Sequence, residues 1–176
     1  MKAKTTEIMM AFMGTLIFLI IIVPVFLIWI PRKIILSPEL NHFFDIGPFR
    51  YLGVVPIVLG VIIYIFCSCS FIFIGKGTPI PFTPTKELIV TGFYRFVRNP
   101  LYVAGVFVLA GEALLFQSMG ILIYCVVMFG VFNLHILMEE ALLSETFGTA
   151  YERYRNSVPR WIPRLKPYKG NDSESQ

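Results

Sequence analysis

LYVAGVFVLAGEALLF (residues 101–116), QSMG (117–120) and ILIYCVVMFGVFNLHILM (121–138) decide the fold of this chain. Two apolar runs, each longer than an ordinary strand, flank four residues that include Gln117, Ser118 and Gly120. Such a pattern predicts two antiparallel helices joined by a tight turn. At about 1.5 Å per residue each run reaches roughly 25 Å, close to the hydrocarbon thickness of a bilayer.

Two more apolar runs precede this hairpin. Ile8 to Ile30 ends at Pro31-Arg32-Lys33; it exceeds a signal-peptide core and lacks a small-residue cleavage site, so a retained span is expected. Tyr51 to Ile74 carries Pro56 near its start, where a missing amide donor is most easily tolerated. The expected fold is an all-α membrane protein with four transmembrane helices, the last two forming a C-terminal hairpin.

Composition agrees with that class. The 176 residues are 56% hydrophobic with mean hydropathy +0.74 and only 15% charged, too apolar for a soluble domain of this length. One membrane domain over residues 1–169 is expected, with 170–176 a polar, disordered tail. The formal charge of +4 sorts by membrane side, and no basic stripe with interleaved aromatics occurs on a soluble module, so nucleic acid is not an expected partner. Cys67, Cys69 and Cys125 all fall inside apolar runs without zinc-ligand spacing and read as core thiols.

With four spans, Lys2, Lys4, Lys76, Lys86, Arg95, Arg98, Arg153, Arg155, Arg160, Arg164, Lys166 and Lys169 fall on one side, and Arg32, Lys33 and Arg50 on the other. This bias predicts that both termini and the Arg98-Asn99-Pro100 turn are cytoplasmic. Beyond the fourth run, residues 139–154 keep helical periodicity, with Leu143, Phe147, Ala150, Tyr151 and Tyr154 on one stripe and Glu145, Thr149, Glu152 and Arg153 opposite. A cytoplasmic interfacial helix follows from that pattern, and it either anchors at the membrane surface or folds back over a pocket. Trp161 and Tyr168 lie among Arg and Pro residues, where amphipathic rings prefer the interface.

The polar residues at this membrane face admit two readings each. Asn99-Pro100 is a good helix start, with Asn as cap and Pro at the first helical position, or part of a ligand site. Arg95 and Arg98 are inside-facing anchors or ligand groups. Glu139 and Glu140 are solvated residues beyond a span, or partners of those arginines. His135 and Asn133 sit within the fourth apolar run, where a polar side chain needs a partner or a wet cavity. His135 precedes Glu139 by four residues and shares its helical face, so the two make a candidate acid–base pair or helix-packing contacts. Glu112 lies deeper along its helix. Gly75-Lys76-Gly77-Thr78 lacks phosphate-loop spacing and precedes Pro79, Pro81 and Pro84, so a rigid extended loop is expected instead of a nucleotide site.

Gly92-x-Tyr94-x3-Arg98-Asn99-Pro100-x-Tyr102, then Glu139-Glu140-x2-Leu143-x3-Phe147-Gly148-x2-Tyr151-x2-Tyr154, then Pro159-Arg160-Trp161-Ile162-Pro163 resembles the isoprenylcysteine carboxyl methyltransferase and phospholipid methyltransferase superfamily. The likeness covers about residues 75–168. It implies an integral membrane enzyme that binds S-adenosylmethionine at its cytoplasmic face, with Arg98, Asn99, Pro100, Tyr102, Glu139, Glu140, Tyr151 and Arg160 as cofactor-site positions. Where many members carry His, this chain has Asn99, whose amide donates and accepts hydrogen bonds but does not titrate. Prenylcysteine-methylating members place Arg and acidic residues before the Glu-Glu pair, whereas this chain has Asn133 to Met138.

Methyl transfer from a sulfonium needs no metal, so alignment and exclusion of water supply the rate. For a thiol, phenol or ammonium acceptor, His135 with Glu139 is the expected base. The apolar walls point to a small hydrophobic or lipid-like acceptor, with membrane lipids as surroundings. Two rival readings are an NADPH-dependent membrane enzyme resembling sterol reductases, which share parts of this C-terminal architecture, and a non-catalytic membrane assembly protein.

Overall fold

The computed structural model describes residues 17–38, 43–73 and 88–169. Outside the described residues lie the first half of the Ile8 run, Lys2, Lys4, Lys76 and Lys86, the Gly75 to Thr78 stretch with Pro79, Pro81 and Pro84, and the tail 170–176. Every regular element among the described residues is helical, and the β contact there is an isolated antiparallel bridge between Phe43 and Ser118.

The chain runs through π-helical stretches Phe18–Ile22 and Val25–Trp29 into α1 (Ile30–Ile35), then a 3-10 turn Gly47–Gly53 into α2 (Val54–Phe73). A second 3-10 turn, Gly92–Arg95, leads to α3 (Pro100–Leu115), α4 (Met119–Phe147) and α5 (Thr149–Ser157). Helical winding does not stop at Pro31 as the sequence pattern implied. Pro31 is buried inside a helical run that is continuous over residues 17–35, and its missing N–H leaves one gap in the ladder there.

Segments Gly47–Ser70 and Met119–Phe147 are long and apolar enough to cross a bilayer, and Pro100–Leu115 is a shorter apolar helix. Only 17% and 22% of the two longer segments' most apolar windows are buried, so these helices turn aliphatic side chains outward, unlike the core helix of a soluble domain.

Two compact units make up the described chain: residues 17–65 with 101–135, and 66–100 with 136–169, less the undescribed positions. In the first, glycines set the helix spacing. A Cβ at Gly60 would stand 2.7 Å from the Ala104 carbonyl oxygen, and one at Gly111 would stand 2.5 Å from the Gly53 carbonyl oxygen. Backbones that approach this closely admit only hydrogen at the contact, the usual way apolar helices gain packing without a hydrophobic driving force between them. Leu109, Cys125 and Met128 form the adjoining core, with Leu27, Val106 and Phe132 against them. The expected hairpin turn is present: Gln117 takes a positive φ of 53°, and Ser118 Oγ accepts the Ile121 N–H at 3.1 Å, capping α4.

In the other unit the helix boundary departs from expectation. The α4 helix does not hand over to a separate interfacial helix at Glu139; it continues through both glutamates to Phe147 and breaks at Gly148, whose φ of +51° takes the backbone out of the helical region. Glutamate is a good helix former, so the change in polarity at residue 139 alters the helix surface without ending the helix. After the break α5 is short, with Tyr151 and Tyr154 buried and Glu152 and Arg153 exposed.

Candidate active site

A sharp turn and a strap build the site. Gly92 opens the turn with φ +56°, a region that favours glycine, and Tyr94 is carried inward, where its carbonyl accepts the Tyr154 hydroxyl at 2.7 Å. Residues 159–168 then lie along residues 95–98. Arg98 N–H donates to Pro159 O, Arg164 N–H to Phe96 O and Tyr168 N–H to Arg95 O, each at 2.9 Å, and Arg95 Nε returns to Tyr168 O at 2.7 Å. Arg95, which sequence reading left as an anchor or a ligand group, is thus a clamp on the strap.

The strap delivers Arg160 to Glu140. Arg160 Nε donates to Oε1 at 3.0 Å and Nη2 to Oε2 at 2.8 Å, while Arg98 Nη1 lies 3.1 Å from Oε1 and Arg155 Nε 4.0 Å from Oε2. Glu140 is 5% exposed and the Arg98 side chain 9%. One buried carboxylate therefore serves three guanidinium groups. The hydrogen bonds from Arg160 to Glu140 hold that guanidinium above its ordinary pKa. Arg98 Nε and Nη1 are buried and have no well-aligned hydrogen-bond acceptor among the described residues.

Tyr151 packs behind this cluster with Tyr154 and Val158, sealed by Leu143, Phe147 and Tyr168. Burial pushes the Tyr151 phenol above its ordinary value; Glu140 and Glu139 act the same way, and the Arg98 guanidinium beside it, a hydrogen-bond partner, opposes them. Burial likewise raises Tyr154. Both phenols stay neutral; Tyr154 donates to the Tyr94 carbonyl, and the Tyr151 oxygen accepts from the Arg98 guanidinium.

The structure brings Arg98, Glu140, Tyr151 and Arg160 together, with Asn99 linked more loosely through Nδ2 to the Arg160 carbonyl at 3.4 Å. Pro100 is buried at the first position of α3. Glu139 is half-buried and its charge is felt at Tyr151. Tyr102 and His135 belong to the other unit, where their rings meet edge to face at 6.0 Å and Tyr102 also lies 5.3 Å from Phe132. Asn133 bonds the Phe129 carbonyl of its own helix at 2.8 Å. Glu112, also in that unit, has a buried Oε2 without a hydrogen-bond partner among the described residues.

Sequence reading missed Arg155 as a third cation at Glu140 and the Tyr154 to Tyr94 bond. Arg155 was recoverable in principle, since it follows Tyr151 by four residues and shares its helical face. Nothing in the local pattern around Tyr94 announces a carbonyl reached from sixty residues away.

The comparisons with known proteins agree with one another. Residues 49–150 match the model of the phospholipid methyltransferase family. A protein-S-isoprenylcysteine O-methyltransferase of Schizosaccharomyces pombe is 40% identical over 80 residues, 44% of this chain, and the match spans only 34% of that protein. Probable protein-S-isoprenylcysteine O-methyltransferases of Oryza sativa, from the indica and japonica subspecies, are each 26% identical over 137 residues, 75% of this chain and 69% of theirs. The matched region holds the arginine turn, both long apolar helices, the glutamate pair and the Gly148 break, and on that extent the chain belongs to the phospholipid methyltransferase family, a family of methyl-transferring enzymes.

Proposed function

We propose that this chain catalyses S-adenosylmethionine-dependent methyl transfer to a small hydrophobic or lipid-like acceptor at the cytoplasmic face of a membrane, with both termini on that side. The observation that carries this reading is Arg98. Its Nε is a buried donor without an acceptor among the described residues, a costly state that a bound carboxylate relieves, while Nη1 is held by the Glu140 ion pair. A single carboxylate, Glu140, stands among three arginines, so the cluster keeps net positive charge for a further anion. These residues fit the amino-acid end of S-adenosylmethionine.

Arg98 and Arg160 would hold that carboxylate, with Glu140 fixing both guanidinium groups. Asn99, Pro100, Glu139 and Tyr151 complete the set, and the motif adds Tyr102. When bound, S-adenosylmethionine supplies a methyl group on a cationic sulfur that departs without a metal. Tyr151, Tyr154 and Val158, all nearly inaccessible, exclude water from the cluster. For a thiol, phenol or amine acceptor, His135 takes the proton, and Glu139, one helical turn on, orients the imidazole. The names of the relatives and of the family bring prenylated cysteine and phospholipid into the acceptor class. Asn133 to Met138 replace the charged residues suited to a prenylcysteine carboxylate, which favours an acceptor without one.

Equilibrium binding of S-adenosylmethionine to the purified protein, followed by methyl-radiolabel transfer into lipid extracts, tests the reading. Arg98→Ala is expected to weaken binding at least tenfold while the protein remains folded. Equal affinity in wild type and variant overturns the cofactor assignment, and binding of NADPH in place of S-adenosylmethionine supports the reductase alternative.

A further inference from the structure

Leu165 is 99% exposed and Ile162 79%, the two highest values of any large apolar side chain among the described residues. Outward aliphatic residues on α2 and α4 are accounted for by lipid hydrocarbon, but Ile162 and Leu165 stand on a non-helical strap outside both long spans. Their surroundings are strongly basic. From Arg153 to Lys169 the chain carries Arg153, Arg155, Arg160, Arg164, Lys166 and Lys169 and no Asp or Glu. Arg160 is engaged by Glu140 and Arg164 Nη1 by the Ser157 carbonyl, which leaves Lys166 and Lys169 exposed beside the two apolar side chains.

The strap is held rigidly. Its backbone bonds to residues 95–98, and its ion pair to Glu140 fastens it to α4, a helix long and apolar enough to cross a bilayer. An element that combines uncovered aliphatic groups with cations, tied to such a helix, has the chemistry of an interfacial anchor: apolar groups enter the acyl boundary and cations meet headgroup phosphates. We propose that residues 160–169 form a bilayer-docking surface selective for anionic lipid, with Ile162 and Leu165 inserted and Lys166 and Lys169 on the headgroups. This inference does not depend on the cofactor reading, because its readout needs no methyl donor.

The test uses the full chain with Trp29→Phe, which leaves Trp161 as the single tryptophan, reconstituted in nanodiscs containing brominated phosphatidylglycerol or brominated phosphatidylcholine. Trp161 fluorescence is expected to be quenched at least twofold more by the anionic lipid, with the difference lost in Lys166→Glu/Lys169→Glu and in high salt. Ile162→Ser/Leu165→Ser is expected to reduce quenching by both lipids. All four side chains are exposed, so an unchanged unfolding midpoint separates loss of docking from loss of fold. Equal quenching by the two lipids overturns the anionic selectivity and with it the proposal. Absence of quenching by either, the outcome if another protein or a second copy covers this face, overturns the bilayer assignment.

Discussion

Arg160 grips Glu140 at two points, Nε to Oε1 at 3.0 Å and Nη2 to Oε2 at 2.8 Å, and through this pair the C-terminal strap is fastened to α4. Arg98 approaches the same carboxylate from the turn before α3. Glu140 is therefore the junction at which three separate stretches of chain meet. Adjacent residues on a helix point about 100° apart, so Glu139 and Glu140 cannot share this position, and Glu140 is the one turned inward.

Glu140→Ala leaves the buried Arg98 without its counter-charge and is expected to cost about 3–5 kcal/mol. Arg155→Ala removes a half-exposed group 4.0 Å from the carboxylate and is expected to cost under about 1 kcal/mol. Thermal unfolding of the two variants in one detergent checks the contrast; equal destabilisation would show that the junction is not centred on Glu140.

His135→Ala separates proton transfer from cofactor binding. With His135 as the base, turnover falls roughly 10²–10⁴-fold while S-adenosylmethionine affinity is retained. Single-turnover kinetics beside equilibrium binding make the measurement. Full turnover in a stable variant excludes the base role and points to an acceptor that arrives ionised.

Alkaline pH tests the buried phenols. Tyr151 and Tyr154 both have folded pKa values above their unfolded ones, so the folded state holds its protons more tightly. Their contribution is fully present below about pH 10, the ordinary tyrosine value, and is lost as pH rises through the folded values. Unfolding midpoints from pH 8 to 11.5 should fall more steeply above pH 10 in wild type than in Tyr151→Phe. Tyr154→Phe also removes the hydroxyl that donates to the Tyr94 carbonyl, at a cost of about 1 kcal/mol at neutral pH.

Gly60→Ala probes the helix contact. The new methyl would lie 2.7 Å from the Ala104 carbonyl oxygen, so α2 or α3 must shift, and a loss of about 1–3 kcal/mol is expected. Gly130→Ala, with no heavy atom within 4 Å of the added Cβ, is the control. Unfolding midpoints that match for the two variants would refute the close approach.

The amino-acid sequence by itself determined the helical hairpin, because run length, the Gln117-Ser118-Met119-Gly120 turn and the capping Ser118 act over a few neighbouring positions. It also marked the Arg98 to Tyr102 motif and the glutamate pair. Tertiary structure alone decided which glutamate accepts the arginines and that residues 159–168 return along the turn at 95–98. Those outcomes rest on contacts between groups twenty to seventy residues apart in the chain. Local periodicity records which face of a helix is apolar, but it carries no information about the distant carbonyl or guanidinium that satisfies a buried group.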